Sequence, residues 1–321
     1  MNIGNVGNDN SNKYDGHGIE VDNMFLIQKI EELMMSHHDA RYSVGEFILQ
    51  EKKNLYKYTI DEIAQYSYTS KATVVRFAKA LGYDGWKSFM KAFIEEMKYQ
   101  ELHQGDVDAN YPFSQDESSD QIIENIKKLQ IESIKDTADL MDVHILNQAV
   151  DYLIQANRIV IFGLSPNILL GELFRRKMNT IGKSVDVVKS GEMGITARSL
   201  KKDDCVIMIS YSGNNEKAEP MRYLPILLKN DVSIIGITSG GDNYLRTHLS
   251  CVLTMSSKER LYTKISNFAT EESIQYILNC LFSCYYARDF QKHNLSKLHN
   301  SKVLEAGRLA VLKQMQDEID K

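Results

Sequence analysis

Four cysteines in 321 residues leave no disulfide framework and no metal-ligand spacing. Cys205 and Cys251 fall in strand-like apolar runs, and Cys280 and Cys284 share a helical face with Ile277 and Leu281, so all four read as core residues. No run approaches the ~18 consecutive apolar residues of a membrane span, and the first residues lack the apolar core of a signal peptide. The expectation is a cytoplasmic protein with no membrane partner. Neither a Gly-rich dinucleotide fingerprint nor a P-loop occurs, so no cofactor is expected. An excess of positive charge is missing too. Lys and Arg number 38 against 43 Asp and Glu, and the net charge of -5 argues against indiscriminate nucleic-acid binding by the whole surface.

What is present is a chain of ordinary globular composition. With 43% hydrophobic residues it can bury a sizeable core, and 321 residues divide best into two domains. Residues 1–20, rich in Asn, Gly and Asp without apolar periodicity, read as a disordered leader. Helical periodicity then covers 24–38, 43–55, 59–66, 70–81 and 85–102, which predicts an all-α first domain over 21–103. Residues 104–117, with Gly105, Asp106, Asp108, Asn110 and Pro112, have the composition of a linker. A helical region over 119–156 follows. Five strand candidates come next, at 158–162, 184–188, 204–209, 232–237 and 249–255, with helical patterns at 166–181, 190–198 and 215–230. Parallel neighbours need crossover connections, so this alternation predicts an α/β domain over 118–293 built on a doubly wound five-stranded parallel sheet. A helix over 268–290 and a helical tail over 294–321, carrying Leu304, Val311, Leu312 and Met315, complete the chain.

The run Ser210-Tyr211-Ser212-Gly213-Asn214-Asn215 sits where a buried strand stops. Cys205-Val206-Ile207-Met208-Ile209 before it is continuously apolar, as expected of a central parallel strand covered on both faces. With a helix expected from 215 to 230, hydroxyls and unpaired backbone N–H groups would meet at its start and attract an anion. Ligands of open α/β sheets bind at the carboxyl ends of strands, where this run falls. Ser165 and Asn167, at the end of the first strand, are placed to help hold the ligand, although a Ser-Pro-Asn turn is also an ordinary helix entry. The plain alternative for Ser210 and Ser212 is that they end a strand and cap a helix. Thr238 and Ser239 either line the same crevice or belong to a loop with turn chemistry.

A second pattern lies upstream. Thr59-Ile60-Asp61-Glu62 fits a capping box, and Ser70 can cap the next helix, whose Val74, Phe77, Ala78 and Leu81 form an apolar stripe. Two short helices joined by a tight turn read as a helix-turn-helix. From 70 to 91 the local charge reverses, with Lys71, Arg76, Lys79, Lys87 and Lys91 against Asp84 alone. Polar side chains then fall near the N-terminal half of the second helix, where a recognition helix meets base edges in the major groove. Arg76 suits bidentate bonding to guanine, Ser70, Lys71 and Thr73 the bases or phosphates, and Lys79 and Lys87 the backbone. The bland alternative is a helical hairpin with a solvated basic face.

The stretch from Thr59-Ile-Asp-Glu-Ile-Ala through Ser70-Lys-Ala-Thr-Val-Val-Arg-Phe-Ala-Lys-Ala-Leu-Gly-Tyr-Asp-Gly-Trp-Lys-Ser-Phe89 resembles the N-terminal domain of the RpiR family of bacterial transcriptional regulators. Residues 118–293 are similar to that family's sugar isomerase (SIS) domain, whose Ser-x-Ser-Gly loop, matched here by Ser210 to Gly213, holds the phosphate of a phosphosugar. The resemblance thus implies a DNA-binding regulator controlled by a sugar phosphate, with Ser210, Ser212, Gly213 and Asn215 in the ligand site. Three departures stand out. Tyr68 occupies a turn position where the family often has Gly, Ser165 and Asn167 replace a usual Gly and Ser, and Asn215 replaces a usual Thr or Ser.

The expected partners are a double-stranded DNA operator and a sugar phosphate effector, bound by a homodimer or a dimer of dimers. The competing readings are a phosphosugar isomerase, for which Glu271 and Glu272 are the evident candidate bases, and a regulator with a non-sugar ligand. His248 stands at an unremarkable place, and no catalytic residue is assigned.

Overall fold

Three of the short helices near the N-terminus begin on a side chain that caps them. The computed structural model describes residues 26–36, 39–52, 54–102 and 107–304. The leader expected over 1–20, the head of the first helix, residues 104–106 of the expected linker and the tail with Val311, Leu312 and Met315 lie outside the described residues. Five helices come first: α1 (Leu26–Ser36), α2 (Ala40–Gln50), α3 (Ile60–Tyr66), α4 (Lys71–Ala80) and α5 (Trp86–Leu102). Asp39 accepts the Arg41 N–H at 2.9 Å, so α2 starts ahead of the periodicity that places it at 43. Thr59 and Glu62 close the capping box: Glu62 N–H donates to Thr59 Oγ1 at 3.3 Å and Thr59 N–H to Glu62 Oε2 at 2.7 Å. Those bonds hold the Glu62 carboxyl below the usual carboxylate range. Ser70 caps α4 by accepting the Thr73 N–H at 3.2 Å. The apolar faces so aligned meet in one core around Ile30, Ile48, Ile63, Phe77, Phe89 and Phe93.

The turn between α3 and α4 carries a strained residue. Tyr68 has φ 54° and its side chain is 97% exposed, so nothing packs on the ring to offset the left-handed backbone. The turn is fixed by Thr69 N–H donating to Ala64 O at 2.8 Å, which leaves Tyr68 no room to relax. Tyr68→Gly should therefore stabilise the folded chain by ~0.5–1 kcal/mol, less than the full strain because glycine also gains unfolded-state freedom. An unchanged urea midpoint for that variant would refute the strain.

The second half alternates as its periodicity predicts. Residues 119–156 form two helices, α6 (Ser119–Asp139) and α7 (Val143–Gln155), instead of one region. Asp142 ends the continuity by accepting the His144 and Ile145 N–H groups and starting a new helix. Then come β1 (Ile159–Gly163), α8 (Asn167–Thr180), β2 (Val185–Val187), α9 (Met193–Ser199), β3 (Cys205–Ile209), α10 (Leu224–Lys229), β4 (Ser233–Ser239), α11 (Tyr244–His248), β5 (Val252–Met255), α12 (Phe268–Arg288) and α13 (Phe290–Leu304).

All five strands are parallel, in the order β2-β1-β3-β4-β5. The continuous apolar runs split between two cores. Ile161, Ile207 and Ile237 point to the face covered by α7, α8 and α12, whereas Val160, Phe162, Val206 and Met208 point to the face covered by α9 and α10. All-α followed by a doubly wound α/β sheet is thus the observed architecture.

Candidate functional site

The sheet order places one crevice. The crossover after β1 leads outward to β2 and the one after β3 leads the other way to β4, so the loops following β1 and β3 diverge at a switch point. Gly163 and Ile209 are register partners at the ends of those strands, which sets residues 164–167 beside residues 210–215. Ser165 is exposed there, and Asn167 is the first residue of α8.

The helix expected from 215 to 230 forms only in its second half. Residues 210–220 are an extended loop and turns, and regular helix begins only at Leu224 after a short 3-10 turn over Met221–Tyr223. Pro220 is the reason: it lacks an N–H and biases Glu219 away from helical backbone. Asn215 therefore caps no helix, and its carbonyl closes a turn by accepting the Ala218 N–H at 3.2 Å. An anion here would meet the hydroxyls and N–H groups of the loop itself, without a helix dipole behind them.

The loop is shaped from beneath. Gly213 has φ 63°, and a Cβ there would lie 2.7 Å from both Asn243 Oδ1 and Thr238 Oγ1. Asn243 Nδ2 donates to Ser239 O at 3.3 Å while its Oδ1 accepts the Arg246 N–H at 2.9 Å, starting α11. Thr238 Oγ1 and Ser239 N–H both donate to Tyr211 O, at 3.2 and 3.1 Å. Thr238 and Ser239 are buried, so they brace the loop from behind and do not line the crevice. Above this support, Gly213 N–H reaches Ser210 Oγ at 3.3 Å and Asn214 N–H reaches Ser212 Oγ at 3.5 Å. Both exceed the common range for such bonds, so these donors are held loosely.

Sequence reasoning missed the surroundings of Tyr211. Its hydroxyl donates to Glu259 O and accepts from Ser257 Oγ, and the Lys264 ammonium stands 5.2 Å from its ring centroid. Burial pushes the Lys264 ammonium below the usual lysine range, while Glu259, Glu31 and Glu271 pull it back. No local pattern around Lys264 marks it, because its neighbours arrive from distant parts of the chain.

Of the candidate bases, Glu272 accepts from Gln130 Nε2 at 3.0 Å, and burial with the Glu272 charge pushes the Glu271 carboxyl up. His248 bonds only locally, through Nδ1 to Tyr244 O at 2.8 Å and Thr247 Oγ1 at 3.0 Å.

In the helical domain, Val74, Phe77 and Ala78 turn α4 into the core and leave Lys71, Arg76 and Lys79 on its exposed side. Ser70 Oγ lies 3.0 Å from Thr73 Oγ1, and Arg76 folds along its own helix, donating to Ala72 O at 3.3 Å and Thr73 Oγ1 at 3.4 Å. Lys71 pairs with Asp61 at 2.5 Å on the surface. Lys87, in the first turn of α5, is exposed. These contacts lie on the exposed surface, and exposed pairs such as Lys71–Asp61 hold their charges only weakly.

Comparison with known proteins agrees with both halves. A family model described as the helix-turn-helix domain of the rpiR family matches residues 24–100, and the SIS domain model matches residues 152–270. The chain is 23% identical over 274 residues to the HTH-type transcriptional regulator HexR of Pseudomonas aeruginosa, covering 84% of this chain and 92% of that protein. An uncharacterized HTH-type transcriptional regulator of Thermotoga maritima is 24% identical over 273 residues, 83% of this chain and 93% of its own. Among solved structures, the Vibrio vulnificus NanR protein complexed with ManNAc-6P superimposes with a TM-score of 0.56 at 19% identity, over 89% of this chain and 100% of that one. Among the described residues, no helix is long and apolar enough to cross a membrane. An rpiR-type helix-turn-helix joined to a five-stranded SIS sheet places the chain in the RpiR family of helix-turn-helix transcriptional regulators.

Proposed function

We propose that this regulator binds a DNA operator with an affinity set by a phosphorylated sugar held at 210–215. The observation that carries the reading is the loop at the switch point, where Gly213 is pressed onto Thr238 and Asn243 while the Ser210 and Ser212 hydroxyls and loosely engaged N–H groups stay half-buried at the crevice. A phosphate offers those donors several acceptor oxygens, whose charge strengthens each bond. The NanR neighbour, of the same fold, is complexed with a sugar phosphate. Ser165 and Asn167 from the adjoining loop are assigned to the sugar.

Asn215 contributes its exposed amide from the rim, in place of a capping role. A dimer, alone or paired into a tetramer, places two α4 helices ~34 Å apart on a palindromic site. Sugar phosphate that prefers one dimer arrangement by ~1–3 kcal/mol shifts operator affinity about 5- to 150-fold.

The assignments separate by mutation. Arg76→Ala should weaken binding to the specific site by ~1–3 kcal/mol and leave the thermal shift by sugar phosphate intact; an equal loss on random duplex would move Arg76 to a backbone role. Ser212→Ala should lower the ligand response, read as the thermal shift by sugar phosphates, with operator affinity unchanged without ligand. A full response in that variant would remove Ser212 from the site.

The chain is read as non-catalytic. Glu272 is engaged by Gln130 of α6, and Glu271 stands in the first turn of α12, where the helix dipole accounts for an acid. Formation of an isomer during incubation with hexose, pentose or amino-sugar phosphates would overturn this.

A further inference from the structure

We propose that residues 256–267, between β5 and α12, relay occupancy of the cradle to the DNA-binding domain, with Tyr211 as the input and Asn110 and Glu31 as the outputs. The inference rests on the sensing reading above and names its route.

Tyr211 belongs to the cradle loop by its backbone and to the 256–267 segment by its side chain. Its carbonyl is fixed by Thr238 and Ser239, and its hydroxyl is bound between Glu259 O and Ser257 Oγ beneath Lys264. A ligand that moves the loop therefore pulls on 257, 259 and 264.

Alternate positions of the same segment hold other partners. Arg260 N–H donates to Asn110 Oδ1 at 2.6 Å, Ile265 N–H to Asn110 O at 2.9 Å, and Asn110 Nδ2 to Lys258 O at 3.4 Å. Asn110 is 7% exposed and lies in the chain between α5 of the DNA-binding half and α6. One residue on, Leu261 N–H donates to Glu31 Oε2 at 3.1 Å. Glu31 is also 7% exposed and sits on α1, the helix that packs on α2 and α5. Burial pushes its carboxyl up, and the Leu261 N–H with Arg260, Thr263 and Lys264 holds it back. Its charge is compensated largely by the segment.

The start of the segment is anchored to the helices on either side of it. Lys258 Nζ bridges Glu132 at 3.2 Å and Asp136 at 2.7 Å on α6, and the Glu259 carboxylate accepts the Ala269 N–H at 2.6 Å. In the proposed route a displacement at Tyr211 reaches Asn110 and Glu31 through the residues of this segment that touch all three. Coupling of this kind is reciprocal, since it is a free energy shared by two sites.

Hydrogen exchange on the full-length protein tests the route without a known effector. Tyr211→Phe, which removes the hydroxyl alone, should speed amide exchange roughly 2- to 10-fold both in 257–265 and in 26–36, with 205–209 unchanged. Glu31→Ala should speed exchange in 257–265 and 210–215 by a similar factor, and Glu31→Gln, which keeps an acceptor for Leu261 but loses the charge facing Arg260 and Lys264, should have a smaller effect. If Tyr211→Phe also loosens 205–209, Ser257→Ala removes one donor to the tyrosine and gives the same readout. Faster exchange confined to 257–265, with 26–36 unaffected, overturns the relay. A parallel arm adds inorganic phosphate to wild type. Failure of phosphate to protect 210–215 counts against the cradle alone, because the mutational arms involve no ligand.

Discussion

Gly213→Ala will lower the thermal midpoint of the α/β domain by about 5–15 °C and abolish its response to sugar phosphates. Two costs combine. Alanine at φ 63° carries ~1–2 kcal/mol of backbone strain, and its Cβ would stand 2.7 Å from two side-chain oxygens. Neither oxygen can withdraw freely. Asn243 Oδ1 starts α11 by accepting the Arg246 N–H, and Thr238 Oγ1 holds Tyr211 O, so making room breaks a bond in a buried place. Overpacking of this kind costs ~1–3 kcal/mol, for a total of ~2–5 kcal/mol. Calorimetry with and without sugar phosphate measures both effects. A midpoint within 2 °C of wild type, roughly the shift from a change under 1 kcal/mol, would mean that the loop relaxes freely and that its shape is not set from below.

Glu96→Gln will flatten the pH dependence of stability in the DNA-binding domain. Glu96 is 2% exposed and accepts the Leu26 N–H at 2.5 Å and the Ile27 N–H at 3.3 Å, the first two residues of α1. Burial pushes its carboxyl up to about 8, although both N–H groups oppose that shift. Because the folded value lies above the ordinary 4.5, the stability this group contributes is present below pH 4.5 and lost as pH rises through about 8. Wild type should lose ~2–4 kcal/mol between pH 5 and 9 through this one group. The amide cannot ionise and keeps an acceptor for Leu26, at a pH-independent cost of ~1 kcal/mol where its NH2 replaces the weaker acceptor. Trp86, the single tryptophan, stacks on Phe89 with ring centroids 4.9 Å apart and reports this domain by fluorescence. Urea unfolding at a series of pH values should give diverging curves above pH 6, and parallel curves would exclude Glu96 as the titrating group.

The reading of individual residues divides by distance along the chain. The Thr59–Glu62 capping box, the Ser70 cap and the apolar stripe of α4 each involve partners three or four positions apart, and each is found as the local pattern predicts. Tyr68 stood out only through the resemblance, as a departure from a usual glycine, and its left-handed backbone came from the structure. The late start of the helix expected from 215 has a local cause: Pro220 disfavours helical backbone in the residue before it, so the helical periodicity is realised only after it. The split at Asp142 is similar, a cap hidden inside a continuous apolar pattern.

The amino-acid sequence by itself determined most element types, the parallel sheet, the basic face of α4 and the hydroxyl-rich loop at the end of β3. Each depends on backbone preference, side-chain periodicity and covalent neighbours, all of which act within a few residues. Only the tertiary structure decided that Thr238 and Asn243 support Gly213, that Tyr211 leaves the cradle for residues 257 and 259, and that Glu31 meets Leu261 across 230 positions. Those meetings follow from strand order and helix packing, in which many weak burial terms are satisfied together and no single stretch carries the signal.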